Sequence, residues 1–209
     1  MRLSLLVAAA AASLIASGAS AQTATFTGGA STPTAGFTVI NEFTSLAGLT
    51  SVTNAQIKMP PSDSEGAPPA TSDGSSYLSV LGGGSATYDL GAFNPRNIQF
   101  DWGSTDGYNS LTVKTAGGKS YVYVPGTNFP AGTDGNQVLP GTNGVFTLKL
   151  GDDRVSSVMF ASGSNSFELD NFAIAGGVPE PTTWALMIVG FGAVGGAMRR
   201  RRAPSLATA

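Results

Sequence analysis

Between Gln22 and Gly177, apolar residues recur at alternate positions in short runs separated by Gly, Pro, Asn, Asp and Ser. Alternation of this kind puts successive side chains on opposite faces of an extended chain, and so marks strands with one buried face. It predicts strands over 23–27, 36–43, 51–58, 76–81, 86–90, 97–102, 110–115, 120–124, 145–150, 156–161 and 166–175. The inward sets are Ile98, Phe100 and Trp102; Leu111 and Val113; Val122 and Val124; Phe146, Leu148 and Leu150; and Val158 and Phe160. The last run changes phase: Phe167 and Leu169 are offset by one from Phe172 and Ile174, which calls for a β-bulge near Asp170-Asn171. No βαβ rhythm, long amphipathic helix or fixed-period repeat is present. Strand number, spacing and Gly-rich turns point to an all-β fold, an antiparallel β-sandwich of jelly-roll type. Polar segments 60–74 and 125–144 are long for loops inside a compact domain, a length that usually serves function or motion.

Two apolar stretches do not alternate, and they divide the chain. Residues 1–21 read as a secretory signal peptide. Arg2 is a minimal basic start, 3–15 an apolar core, and Ala19-Ser20-Ala21 a small-residue site for signal peptidase before Gln22. The exported β-sandwich domain is then 22–177, ending in the hinge Gly176-Gly177.

Residues 178–202 form a three-part segment, followed by a cytoplasmic extension, 203–209. Pro179, Glu180 and Pro181 come first; both prolines fix φ and lack an N–H, so neither a helix nor an inner strand runs through them. Trp184 to Met198 is 15 uncharged residues, about 22 Å as a helix at ~1.5 Å per residue. This is short of the ~30 Å hydrocarbon core. A short transmembrane helix of this kind spans with bilayer thinning, snorkelling arginines or recruitment of Thr182-Thr183. Gly190, Gly192, Gly195 and Gly196 make one face small, and Gly192 with Gly196 permits close approach of another helix. Trp184 sits where an interfacial aromatic sits, and Arg199, Arg200, Arg201 and Arg202 sit where a cytoplasmic anchor sits. With Arg2 they place both ends in the cytoplasm and the body outside; a permanent single-span anchor is the plainer reading, but the short glycine-rich span favours a transient hold in the inner membrane.

Composition narrows the chemistry. The chain has neither cysteine nor histidine, which removes disulfides, thiolate nucleophiles, His general bases, and thiolate- or imidazole-bound metals. Its formal charge of −2 conceals an acidic body, because 22–177 holds six basic residues against twelve acidic ones. Nucleic acid, which needs clustered Lys and Arg, is not an expected partner.

Trp102, Asp106 and Tyr108 form the candidate ligand site. An exposed Trp/Tyr pair beside an Asp stacks on a sugar ring and hydrogen-bonds its hydroxyls; in the plainer reading Trp102 is core and Asp106 caps the turn. Tyr121 and Tyr123 are further aromatic candidates. Acidic loop residues (Asp63, Glu65, Asp73; Asp134 with Asn136; Asp152-Asp153; Asp170) could supply oxygens for a structural calcium ion, although no EF-hand loop is present and Asp152-Asp153 reads as a hairpin turn. No other cofactor is expected. A carboxylate-dependent hydrolase needs two acids across a cleft, but the acids here fall mostly in turns. The P-loop signature is missing, as are the repeated Thr rows of a flat ice-binding face. The expectation is a protein that is not an enzyme.

The run Val178-Pro179-Glu180-Pro181-Thr182-Thr183-Trp184-Ala185, its Gly-rich apolar continuation and Arg199–Arg202 resemble the PEP-CTERM sorting signal in its PEPxxWA form. The same tail is also catalogued under an ice-binding-protein C-terminal label, which implies nothing about ice. The resemblance implies a substrate of an exosortase, an integral-membrane cysteine transpeptidase-like enzyme of Gram-negative bacteria. It further implies delivery to the cell surface or medium, in association with exopolysaccharide and biofilm matrix. More loosely, Phe100 to Leu111 and Phe167 to Phe172 resemble the β-rich exported domains that precede such tails, most of them without an assigned activity. Together these readings give a structural or matrix-interaction protein, with a carbohydrate-binding module as the alternative and a hydrolase last.

Overall fold

The computed structural model describes residues 22–177 and 187–195. Ten strands are present: β1 (Thr23–Gly28), β2 (Thr38–Asn41), β3 (Leu49–Lys58), β4 (Tyr77–Asp89), β5 (Asn97–Gly103), β6 (Asn109–Thr115), β7 (Ser120–Tyr123), β8 (Gly144–Lys149), β9 (Val155–Ser162) and β10 (Phe167–Ala175). Every ladder between them is antiparallel. The order is β1-β8-β5-β10-β4-β9-β6-β7, with β2 on β10 and β3 on β4.

The all-β antiparallel expectation holds, but the strands form one continuous sheet, curled into a half-barrel, rather than the two separate sheets of a jelly-roll sandwich. The corner lies in β4. Along one edge it pairs with β3; along the other, Leu78–Val80 pair with β10 and Gly84–Asp89 pair with β9. Two predicted strands, 76–81 and 86–90, are therefore one. The Gly82-Gly83-Gly84 run that reads as a turn is a bend within a strand. A Cβ on Gly84 would lie 2.3 Å from the Asn54 carbonyl oxygen, so glycine is what lets β3 and β4 stay paired through the bulge at Asn54.

Curling brings β5 over β9. Phe100 is the centre of the core, with ring centroids 5.4 Å from Trp102, 5.3 Å from Phe146 and 5.4 Å from Phe160. The predicted inward sets on β5, β6, β8 and β9 are all buried. In β7 the expected face is inverted. Val122 is 52% exposed, whereas Tyr123 is buried with its ring 5.8 Å from Phe146. The larger apolar surface of the tyrosines takes the core position, and Tyr121 packs against the same cluster.

The bulge near Asp170-Asn171 is present: the β10–β5 register shifts between Asp170 and Ala173, and Asn171 has φ 51°. It keeps Phe167, Leu169 and Phe172 all buried. The middle of this sheet is covered on both faces, which single-face alternation does not anticipate. Gln99 and Asp101 of β5, and Glu168 and Asp170 of β10, are buried on the face away from the aromatic core. The segment after β1 covers part of that face. The Thr34 N–H donates to Gln99 Oε1 at 2.8 Å, and the Thr32 N–H donates to Asp101 Oδ1 at 2.8 Å.

Residues 187–195 are helical, and their larger side chains, including Ile188 and Phe191, are exposed. Among the described residues no helix is long and apolar enough to cross a membrane. The expected signal peptide 1–21, most of the sorting segment and the expected extension 203–209 lie outside the described residues.

Candidate acidic cleft

Four loops meet at one end of the sheet around a polar cleft of about 200 Å³. The β3–β4 loop brings Asp63 and Ser64, the β5–β6 turn brings Ser104, Asp106 and Tyr108, the β7–β8 loop brings Asp134 and Gln137, the β9–β10 turn brings Asn165 and Ser166, and the start of β10 brings Glu168. Both long polar loops thus contribute to the same site.

Each loop is held by specific bonds. Trp102 ends β5 in the core, and the chain then turns so that the Asn109 N–H donates to the Asp106 carbonyl at 3.1 Å. Asp106 forms an isolated β-bridge to Asp134, and the Gly135 N–H donates to the Thr105 carbonyl at 3.3 Å. Gly135 has φ 64°, and a Cβ there would lie 2.8 Å from the Asp106 carboxylate; only glycine lets this loop close over that acid. Asn143, just before β8, fastens three segments. Its Oδ1 accepts from the Ser104 N–H at 3.1 Å and the Ala70 N–H at 3.2 Å, while its Nδ2 donates to the Asn136 carbonyl at 2.7 Å.

Glu168 forms the floor of the cleft. Its carboxyl accepts from Ser104 Oγ at 2.5 Å, from Ser166 Oγ and from the Ala67 N–H at 3.4 Å. Burial pushes it up to about 7, partly offset by the two serine hydroxyls. Burial also raises Asp106, opposed by the nearby Tyr108 hydroxyl and reinforced by the charge of Asp134. The Tyr108 hydroxyl donates to the Asn165 carbonyl at 2.9 Å. Burial and the Asp106 carboxylate beside it raise this phenol, and the residue remains 40% exposed. At the rim Lys58 bonds Asp63 at 2.6 Å and Glu65 at 3.4 Å, and holds Asp63 below the usual carboxylate range.

Of the sequence-predicted ligand residues, Asp106 and Tyr108 line the cleft and Trp102 does not. Trp102 is fully buried, stacked on Phe167, so the plainer reading is correct for it. Tyr123 is buried as well. Asp106 closes its turn through its backbone carbonyl and lines the cleft. Pattern reading missed Glu168, Asn143, Ser104 and Asn165. The available signal for Glu168 was a charged residue inside the aromatic run Phe167-Glu168-Leu169. Among the described residues, no three Asp or Glu side chains converge closely enough to chelate a metal by themselves. Acceptor-rich walls, one exposed aromatic ring and few cations suit a neutral ligand rich in hydroxyl donors.

The cleft has a fixed place relative to the chain ends. Thr23 pairs with Lys149, Lys149 with Asn97, and Asn97 with Ala175. Both ends of the body therefore leave from one cross-strand row. Gly103 pairs with Glu168 at the other end of β5, about 20 Å away at ~3.3 Å per residue.

Gly190 and Gly192 fall in helical 187–195, with nothing within 4 Å of a Cβ built on either. Pro179, Glu180, Pro181, Trp184, Ala185, Arg199, Arg200, Arg201 and Arg202 lie outside the described residues. No curated protein matches the chain. Residues 177–202 match the family model of the PEP-CTERM protein-sorting motif. The tail expected from the Pro-Glu-Pro, apolar and arginine order thus matches the PEP-CTERM sorting signal, which implies processing by an exosortase and export.

Proposed function

We propose that this protein is an exported matrix-interaction domain that binds polysaccharide through its acidic cleft. Signal peptidase releases the N-terminal side, the tail holds the body briefly in the inner membrane, and the exosortase cuts near Pro179–Pro181. The product then resides at the cell surface or in the medium, in contact with exopolysaccharide of the biofilm. The observation that carries the binding role is the convergence of Tyr108, Asp106, Asp134 and Asn165 around one polar cleft. Carboxylate and amide oxygens there accept from sugar hydroxyls, while the exposed tyrosine ring offers an apolar face.

The test is a pull-down of the protein with the host's own exopolysaccharide. Binding that vanishes in Tyr108→Ala and falls in Asp106→Asn supports the reading; no binding by the wild type rejects it. Sorting is tested separately. Intact mass of surface-extracted protein should show both ends removed, and deletion of 178–202 should change localisation. Retained arginines on the mature protein would overturn the processing step.

A hydrolase remains the second reading, favoured by one observation: Glu168 is pushed up to about 7 beside Asp106 in the same cleft. We read Glu168 instead as the bond that ties the Ala67 and Ser104 segments to β10. New reducing ends released from polysaccharide by the wild type, and not by Glu168→Gln, would reverse that choice.

A further inference from the structure

A second acidic place lies on the covered face of the sheet. Asp101 and Asp170 are direct cross-strand partners, which puts their Cβ atoms about 5 Å apart. Both are fully buried. Among the described residues neither has a Lys or Arg partner; the ion pairs involve other acids. Their neutral partners leave coordination capacity unused. Asp101 accepts from the Thr32 N–H at 2.8 Å and Asn171 Nδ2 at 2.9 Å. Asp170 Oδ1 accepts from the Asn171 N–H at 2.7 Å, while Oδ2 has only Ser75 Oγ at 3.5 Å. Burial raises both carboxyls, Asp101 to about 6 and Asp170 to about 7, and the charge of Asp73 nearby raises them further.

Thr32 supplies an independent observation. It is 9% exposed, and its Oγ1 is buried without a hydrogen-bond partner among the described residues. The hydroxyl lies beside the Asp101 carboxylate that its backbone N–H bonds, but outside hydrogen-bond geometry with it. A buried hydroxyl without a partner costs free energy unless something else uses its lone pairs. Two buried acids side by side likewise need a positive charge or a shared proton.

We infer that Asp101, Asp170 and the Thr32 hydroxyl bind a calcium ion that pins the segment after β1 and the end of the β3–β4 loop to the sheet. Donor chemistry selects the ion. The donors the fold offers are oxygens, two carboxylates with the Thr32 and Ser75 hydroxyls beside them, which suits Ca2+ in flexible coordination better than Mg2+ in a strict octahedron. The arrangement departs from the loop sites expected at Asp63, Glu65 and Asp134, and it draws Asp170 from the sequence candidates.

The test uses the full-length protein stripped with EDTA, titrated with Ca2+ and separately with Mg2+, and read by calorimetry and thermal melting at pH 7.5. The expected result is one Ca2+ site with a Kd roughly in the 10⁻⁴–10⁻³ M range of extracellular modules, and a rise in Tm. Asp170→Asn should weaken it by tenfold or more. Thr32→Val, which keeps both charges, should weaken it several-fold and keeps the test decisive if the Asp variant does not fold. Absence of any Ca2+ effect up to 10 mM overturns the proposal. So does binding that survives Asp101→Asn, Asp170→Asn and Thr32→Val, or that is lost only in Asp134→Asn, which would move the ion to the cleft.

Discussion

Trp102 and Phe167 stack with ring centroids 4.3 Å apart and planes 6° from parallel. The pair joins β5 to β10 directly beneath the cleft, since each ring is followed within two residues by a cleft-lining side chain, Ser104 or Glu168. Trp102→Ala should cost about 3–5 kcal/mol of stability, as truncation of a buried large aromatic does. Chemical denaturation measures it. Trp102→Phe should recover most of the loss, and a Trp102→Ala protein of unchanged stability would mean that the ring is not in the core.

Glu168 gives the fold a pH dependence whose sign is fixed. Its carboxyl is pushed from 4.5 up to about 7 in the folded protein, so the folded state holds the proton more tightly than the unfolded state. Stability from this group is fully present below about pH 4.5 and is lost as pH rises to about 7, by roughly 3 kcal/mol. Without bound cation, Asp101 and Asp170 add to the same downward slope. Glu168→Gln should flatten the slope of stability against pH between about 4.5 and 7. A slope that is unchanged in the variant would contradict the assignment.

The bend in β4 depends on one missing methyl. Gly84→Ala places a Cβ 2.3 Å from the Asn54 carbonyl oxygen and 2.8 Å from those of Leu81 and Thr53. All three are backbone atoms that cannot rotate away, so the variant should lose about 2 kcal/mol or more. Gly141→Ala, with nothing within 4 Å of the added Cβ, serves as the control and should stay within about 0.5 kcal/mol of wild type. Thermal melts of the two proteins side by side decide it.

Arg154 closes the exit of the chain toward the tail. One guanidinium nitrogen donates to the Asn94 carbonyl at 2.7 Å and to the Gly176 carbonyl at 3.0 Å. Arg154→Ala should cost about 1–2 kcal/mol and speed proteolytic cutting at Gly176-Gly177. Equal cutting rates in wild type and variant would show that the clamp has no bearing on access to this hinge.

Much of this architecture is legible in the chain because single-face alternation reports burial directly, as at Phe146, Leu148 and Leu150 or at Val158 and Phe160. Alternation fails where both faces are covered. Gln99, Asp101, Glu168 and Asp170 look like the solvent side of their strands, yet long loops lie over them. Glycine runs are ambiguous for a related reason: Gly82 to Gly84 reads as a turn because the chemistry of a bend is the same inside a strand. Asp106 and Tyr108 were visible as site candidates because they share one turn. Asn165 and Glu168 come to them through pairing of β10 with β5, a long-range event that leaves no mark on local spacing.

The row shared by Thr23 and Ala175, opposite the cleft, also has a mechanical consequence. β10 carries Glu168 at the cleft end and Ala175 at the tail end, so a single strand links the two poles. Were the tail held and a polymer seated in the cleft, as proposed above, tension would run along β10 and load its ladder with β5 in shear. Hydrogen bonds perpendicular to the strands then share the force together rather than opening one at a time. A domain loaded this way resists being pulled open along β10.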